Sequence, residues 1–126
     1  MRHAPLARLP IAFATVVWAI LLAPLPAAAH AILMESQPAA LSTVAAGPAH
    51  FVLRYNSRID RDRSRFELRQ ASAVSALNLS AVQPASPDTV AVDAPVTPGQ
   101  WTLRWQVLAI DGHITRGDVP FTVKAP

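Results

Sequence analysis

The sequence predicts an all-β domain: a small Greek-key β-barrel or sandwich of about seven strands. Three observations carry that expectation. Apolar residues alternate with polar ones in short runs, the period of a half-buried strand. Pro, Gly, Asn, Asp and Ser punctuate those runs, with 12 Pro in 126 residues. No segment of useful length after residue 30 has helical period.

The strands follow in chain order. Ala31–Ser36 is a short first strand, closed by Pro38. In Ala49–Asn56, Phe51, Leu53 and Tyr55 share one face, and His50, Val52 and Arg54 share the other. Ser64–Gln70 turns Phe66 and Leu68 inward and Arg65, Glu67 and Arg69 outward. Val74–Ser80 is a weaker run, and Thr89–Asp93 a brief one before Pro95 and Pro98. Gln100–Ile110 is the strongest, with Trp101, Leu103, Trp105, Val107 and Ala109 in phase. Asp118–Lys124 places Val119, Phe121 and Val123 inward, and Pro120 on its other face predicts an edge position. Between the second and third strands, Asn56–Arg65 reads NSRIDRDRSR. Mixed charge at this density predicts a solvated loop; the alternative is a docking surface for a partner protein.

The first 29 residues read as an address. Arg2 and Arg8 precede the uncharged run Ile11–Leu22, and Pro24 and Pro26 lead to Ala27-Ala28-Ala29. A positive start, a short apolar middle and small residues at the exit make a secretory signal peptide. An uncleaved anchor is the alternative, but a spanning helix needs about 20 residues. Cleavage after Ala29 makes His30 the first residue of a domain covering residues 30–126.

Composition narrows the function. The whole chain has a net charge of +3. Of its 11 Lys and Arg, two lie in the signal segment, so nine remain against 8 Asp and Glu. A near-neutral domain without a basic, aromatic-interleaved stripe gives no support to nucleic-acid binding. No Cys is present. An exported domain of this size therefore has no disulfide and no thiolate site, and must rely on a packed core.

The residues suited to chemistry are few. Among His30, His50 and His113, His30 is distinguished by position. As a first residue it offers an α-amine and an imidazole, which can close a chelate ring on one metal ion. Directly after the Trp-rich strand comes Asp111-Gly112-His113. Asp and His two residues apart can point the same way, and Gly112 permits a tight turn. An imidazole and a carboxylate from this turn would complete a four-point set with the two nitrogens of His30. Such a set suits tetragonal Cu(II) better than Mg or Ca. Taken alone, D-G-H also reads as a polar turn at a strand end. His50 sits on the Val52/Arg54 face without a second ligand beside it, and reads as an ordinary surface histidine. Nucleophile elbows, H-E-x-x-H and phosphate loops are missing, so the chain does not read as an enzyme.

The start HAILMESQPA, the segment QWTLRWQVLAIDGHITRG and the ending DVPFTVK resemble the periplasmic copper-resistance protein C (CopC) family. The resemblance covers His30 to Lys124. It implies a seven-stranded Greek-key β-barrel of cupredoxin or immunoglobulin-like type. It also implies a Cu(II) site made from the amine and side chain of His30 with Asp111 and His113, and a monomeric periplasmic carrier working beside an inner-membrane copper transporter of the CopD type. Some family members hold Cu(I) in a Met-rich loop; Gln70–Ser80 contains no Met, which resembles the Cu(II)-only branch. Two departures stand out: Ile114 follows the D-G-H histidine where Pro is usual, and RYNSRID replaces an F-S-x-x-V run.

The expectation is thus a Cu(II)-binding carrier for copper homeostasis and resistance. Two other classes remain open on the sequence. One is a metal-free exported β-sandwich interaction module presenting Ser57–Arg65. The other is an N-terminal-His copper oxygenase, which a carboxylate in the equatorial plane disfavours.

Overall fold

A computed structural model describes residues 30–126 and the isolated His3. The signal segment, residues 1–29, otherwise lies outside the described residues. The described residues form eight strands and no helix: β1 (Leu33–Gln37), β2 (Thr43–Ala45), β3 (Gly47–Tyr55), β4 (Ile59–Gln70), β5 (Ala73–Ala76), β6 (Thr89–Val96), β7 (Gly99–Ala109) and β8 (Ile114–Lys124). They make two sheets, a three-stranded one ordered β1-β3-β6 and a five-stranded one ordered β2-β8-β7-β4-β5. The all-β expectation holds, in sandwich form.

The core lies where the alternation places it. Phe51, Leu53 and Tyr55 on β3, with Val90, Val92 and Val96 on β6, are buried in one layer. Phe66 and Leu68 (β4), Leu103, Trp105 and Val107 (β7), and Val119, Phe121 and Val123 (β8) are buried in the other. Two aromatic pairs span the layers: Phe51 with Phe121, ring centroids 5.7 Å apart, and Tyr55 edge-on to Trp105 at 5.4 Å. Such pairs add specific geometry to the area they bury. Tyr55 is fully buried, and burial pushes its phenol far above the ordinary range.

Four elements differ from the sequence expectation. The eighth strand, β2, has three residues and pairs in parallel with Thr122–Lys124; a run of three carries too little pattern to read. β8 begins at Ile114 rather than Asp118, so β7 and β8 form one hairpin paired from Leu108↔Ile114 to Gly99↔Val123. The charged segment Asn56–Arg65 is not simply a loop, because β4 starts at Ile59 and runs through most of it. A bulge between Asp60 and Arg65 breaks its register against β7 and hides the alternation. Ser64 repairs the ladder there: its hydroxyl donates to the Asp60 carbonyl (2.6 Å) and accepts from the Leu108 amide (3.0 Å). β6 also continues through Pro95 to Val96, on the edge of its sheet.

Pro120 sits on β8 beside the end of β2. Its carbonyl accepts from the Leu41 amide at 2.6 Å, and Thr122 donates to the Ser42 carbonyl at 2.9 Å. A strand residue's N and O point to the same side. The missing N–H of Pro120 therefore faces away from β7 and removes no bond from the hairpin; β8 is nevertheless not the edge strand that Pro120 predicts, because the short β2 flanks it just beyond the proline.

Trp105 and Gly117 are register partners. A Cβ on Gly117 would come within 2.4 Å of the Trp105 ring. The glycine is the space that the indole occupies. Trp105→Ala is expected to lower unfolding free energy by about 3–5 kcal/mol, and Gly117→Ala by about 1–3 kcal/mol, both read by urea melts. The Gly117→Ala loss should shrink in a Trp105→Leu background, because the clash is with the indole; an undiminished loss would mean that backbone strain, not the ring, is responsible.

Candidate metal site

The site is built at one end of the β7–β8 hairpin. Its loop closes by two backbone bonds: Ala109 N–H to the His113 carbonyl and Gly112 N–H to the Ala109 carbonyl, each 2.9 Å. Gly112 takes φ +90°, a conformation that side chains rarely adopt. The Ile110 amide donates to the Arg58 carbonyl at 3.1 Å, which ties the loop to the start of β4. Asp111 and His113 consequently project from a braced turn.

These two residues are bonded to each other. The Asp111 carboxylate accepts from the His113 amide (Oδ1, 3.1 Å) and faces His113 Nδ1 (Oδ2, 3.1 Å). The backbone N–H of His113 chiefly holds the Asp111 carboxyl below its usual range, with further contributions from the His113 and His30 side chains. Asp111 is thus an anion throughout the neutral range. What this stabilisation contributes is present above the ordinary carboxylate range and is lost as pH falls through the lowered value.

His30 arrives from the other end of the described chain. Its ring stands edge-on to that of His113, with centroids 4.7 Å apart. Three hydrogen bonds fix the approach. Thr115 Oγ1 donates to the Ala31 carbonyl at 2.9 Å. The Ile32 amide donates to Asn56 Oδ1 at 2.7 Å, and the Asn56 amide donates back to the Ile32 carbonyl at 3.1 Å. Ala31 is buried beneath. The segment is therefore pinned between the end of β3 and the start of β8, and His30 is the first residue beyond the pins.

The structure brings His30, Asp111 and His113 together. Among the described residues, however, no three His, Asp or Glu side chains are close enough as they stand to hold a metal ion. Asp111 is engaged by His113, and in the full chain the backbone nitrogen of His30 is an amide bonded to Ala29 rather than an amine. His50 is elsewhere. It lies on β3 opposite Asp93 of β6, and its Nδ1 is paired with Asp93 Oδ1.

Asn56 and Thr115 are the residues that the sequence reasoning missed. Thr115 lies in the quoted segment DGHIT, and strand period puts it on the core side of β8. Asn56 ends the β3 pattern, where a side-chain amide can replace a ladder partner.

Comparison with known proteins shows what the chain and its fold are similar to. Residues 33–124 match the CopC domain family. The chain is 29% identical over 99 residues to protein YobA of Escherichia coli strain K12, covering 76% of this chain and 80% of that protein. The structure is similar to the crystal structure of CopC from Methylosinus trichosporium OB3b, with a TM-score of 0.65 and 27% identity, covering 76% of this chain and 95% of that one. It is also similar to PcoC, a methionine-rich copper resistance protein from Escherichia coli, with a TM-score of 0.63 and 25% identity, covering 76% of this chain and all of that one.

Asn56→Ala removes one pin without touching the β7–β8 loop. Amide exchange at Ile32 is expected to rise by about fivefold, since one net hydrogen bond is worth about 1 kcal/mol, while exchange at His113 stays unchanged. Unaltered exchange at Ile32 would show that the side chain does not hold the segment.

Proposed function

This chain belongs to the CopC domain family, and from that premise we propose that it is an exported, monomeric carrier that binds Cu(II) through His30, Asp111 and His113. Removal of residues 1–29 as a signal peptide frees the amine of His30. The amine and imidazole of that residue supply two nitrogens, His113 a third, and Asp111 a carboxylate oxygen. Three nitrogens and an oxygen favour Cu(II), the strongest binder among divalent first-row ions at such sites and one at ease with tetragonal geometry. The observation that carries the reading is the placement of His30 against His113 across 83 positions of sequence.

The donor set fits the ion. Two imidazoles and an ionised carboxylate lie at one braced turn, exposed rather than sealed in the core. Binding would compete with the Asp111–His113 hydrogen bond, so the carboxylate exchanges one partner for another instead of leaving a buried anion alone. Met34 is the sole methionine of residues 30–126. A thioether cluster for Cu(I) is therefore not available from this domain, in contrast to the methionine-rich relative. A carrier role rather than an enzymatic one is in keeping with the similarity to a copper resistance protein. Copper would pass to or from a membrane transporter of the CopD type in the periplasm.

The test uses the domain beginning at His30, loaded with Cu(II) and read by EPR and by competition titration. A nitrogen-rich tetragonal spectrum at one copper per chain is expected. One extra residue before His30 keeps both imidazoles but removes the amine, and should weaken binding by more than about tenfold. Asp111→Ala and His113→Ala should each weaken it by about 10–100-fold, while the metal-free form still unfolds in one cooperative transition. Protons compete with copper for the amine and imidazoles, so affinity should be lower at pH 5 than at pH 7.5. Binding that ignores the added residue would sink the chelate.

A further inference from the structure

We propose that the outer face of the five-stranded sheet is a docking surface for an acidic segment of a partner protein. The face is formed by the residues of β4, β7 and β8 that alternate away from the core. In its middle stand Arg65, Glu67 and Arg69 from β4, Arg104 from β7, and Arg116 and Asp118 from β8. Four of the nine Lys and Arg in residues 30–126 are gathered here with two of the eight acidic residues. The remainder of the domain carries five cations and six anions. The positive charge of a nearly neutral domain is thus concentrated on one sheet face.

The register shows where that charge is free. Glu67 is paired with Arg69 at 2.9 Å, and Asp118 takes both arms of Arg104 at 2.9 and 3.1 Å. Arg116 gives its Nε to Gln106 at 2.8 Å, which leaves its terminal nitrogens. Arg65 is exposed and makes no ion pair or side-chain hydrogen bond among the described residues. Arg65, Gln106 and Arg116 form one cross-strand row. The backbones that carry the two arginines are therefore about 10 Å apart, two strand spacings, and both side chains line a depression of about 290 Å³. Two further depressions, about 380 and 240 Å³, continue along the face and share Arg104 with the first. Farther toward the hairpin loop the charges balance, since Asp60 is paired with Arg63.

The shape selects the class of ligand. A small-molecule site encloses most of its ligand, and this face is shallow, open and as long as its strands. Planar forks on an extended surface suit carboxylates presented by an extended chain. A lipid bilayer fits less well, because Glu67 and Asp118 stand among the arginines and would be pressed against anionic headgroups. The row Arg65–Gln106–Arg116 lies at the hairpin-loop end of the face, with Arg116 three residues past His113. A partner held there reaches the metal site from its side. That the partner exchanges copper rests on the reading above; the docking itself does not.

The experiment uses the metal-free domain, residues 30–126, with an oligoglutamate peptide as probe. Amide shifts in NMR titrations at low salt are expected on β4, β7 and β8 around Arg65, Arg104 and Arg116, fading at high salt. Affinity should fall by more than about tenfold in Arg65→Glu/Arg116→Glu and much less in Arg54→Glu/Arg58→Glu, which makes the same change of charge on the other sheet and its following loop. Arg65→Gln/Arg116→Gln gives an intermediate loss and guards against misfolding of the reversed variant. Equal losses in both double variants, shifts centred on other arginines, or no binding would overturn the proposal. So would binding to phosphatidylglycerol vesicles that needs Arg65 and Arg116 while the peptide fails to bind. Because copper is absent throughout, a failure here leaves the metal reading standing, and a failure of the copper titration leaves this one.

Discussion

The constraint on which the rest depends is the pinning of Ala31 and Ile32. A terminal residue is ordinarily the most mobile part of a domain. Here the backbone immediately after His30 has three of its polar groups satisfied by two other strands. The buried Ala31 allows this, because a larger side chain would have to displace the core beneath it. Without that seam, His30 would sample many orientations, and any site using it would lose the entropy of ordering a free terminus. With it, the ordering is already done by folding.

The two sheets divide the work. The three-stranded sheet supplies the cover under which the aromatic pairs close, and Asn56 directly follows its middle strand. The five-stranded sheet supplies stiffness. Its central hairpin is paired over its full length, and Trp105 fills the place that Gly117 leaves open. A long hairpin buried on one face presents a turn of fixed height and direction. The loop Ile110–His113 is therefore placed by packing deep in the sandwich, while its own residues stay exposed and available.

Much of this was legible in the sequence, and the reason lies in period. Phe51/Leu53/Tyr55 and Trp101 through Ala109 keep strict alternation, so their strands, faces and burial could be read directly. The D-G-H turn was legible because a strong strand ends there. The start of β4 was not, because the bulge between Asp60 and Arg65 inserts residues that break the alternation, and the repair by Ser64 is a long-range bond. Nor was β2, whose three residues take their structure from β8 rather than from any pattern of their own. The approach of His30 to His113 was inferred from the chemistry of the residues. What produces it, the bonds from Asn56 and Thr115, depends on tertiary position and leaves no local signature.

Strand β8 joins the two surfaces of functional interest. Its odd positions, Thr115, Gly117 and Val119, face inward and set the seam with Ala31 and the seat of Trp105. Its even positions, Arg116 and Asp118, face outward among the arginines. A strand cannot shift one set without the other, since the side-chain period is two. Arg116 on the outer face is thus the chain neighbour of Thr115, whose hydroxyl holds the carbonyl next to His30. Under the copper reading, the outer face and the anchor of the chelating terminus are therefore placed by the same strand, and the register of one fixes that of the other.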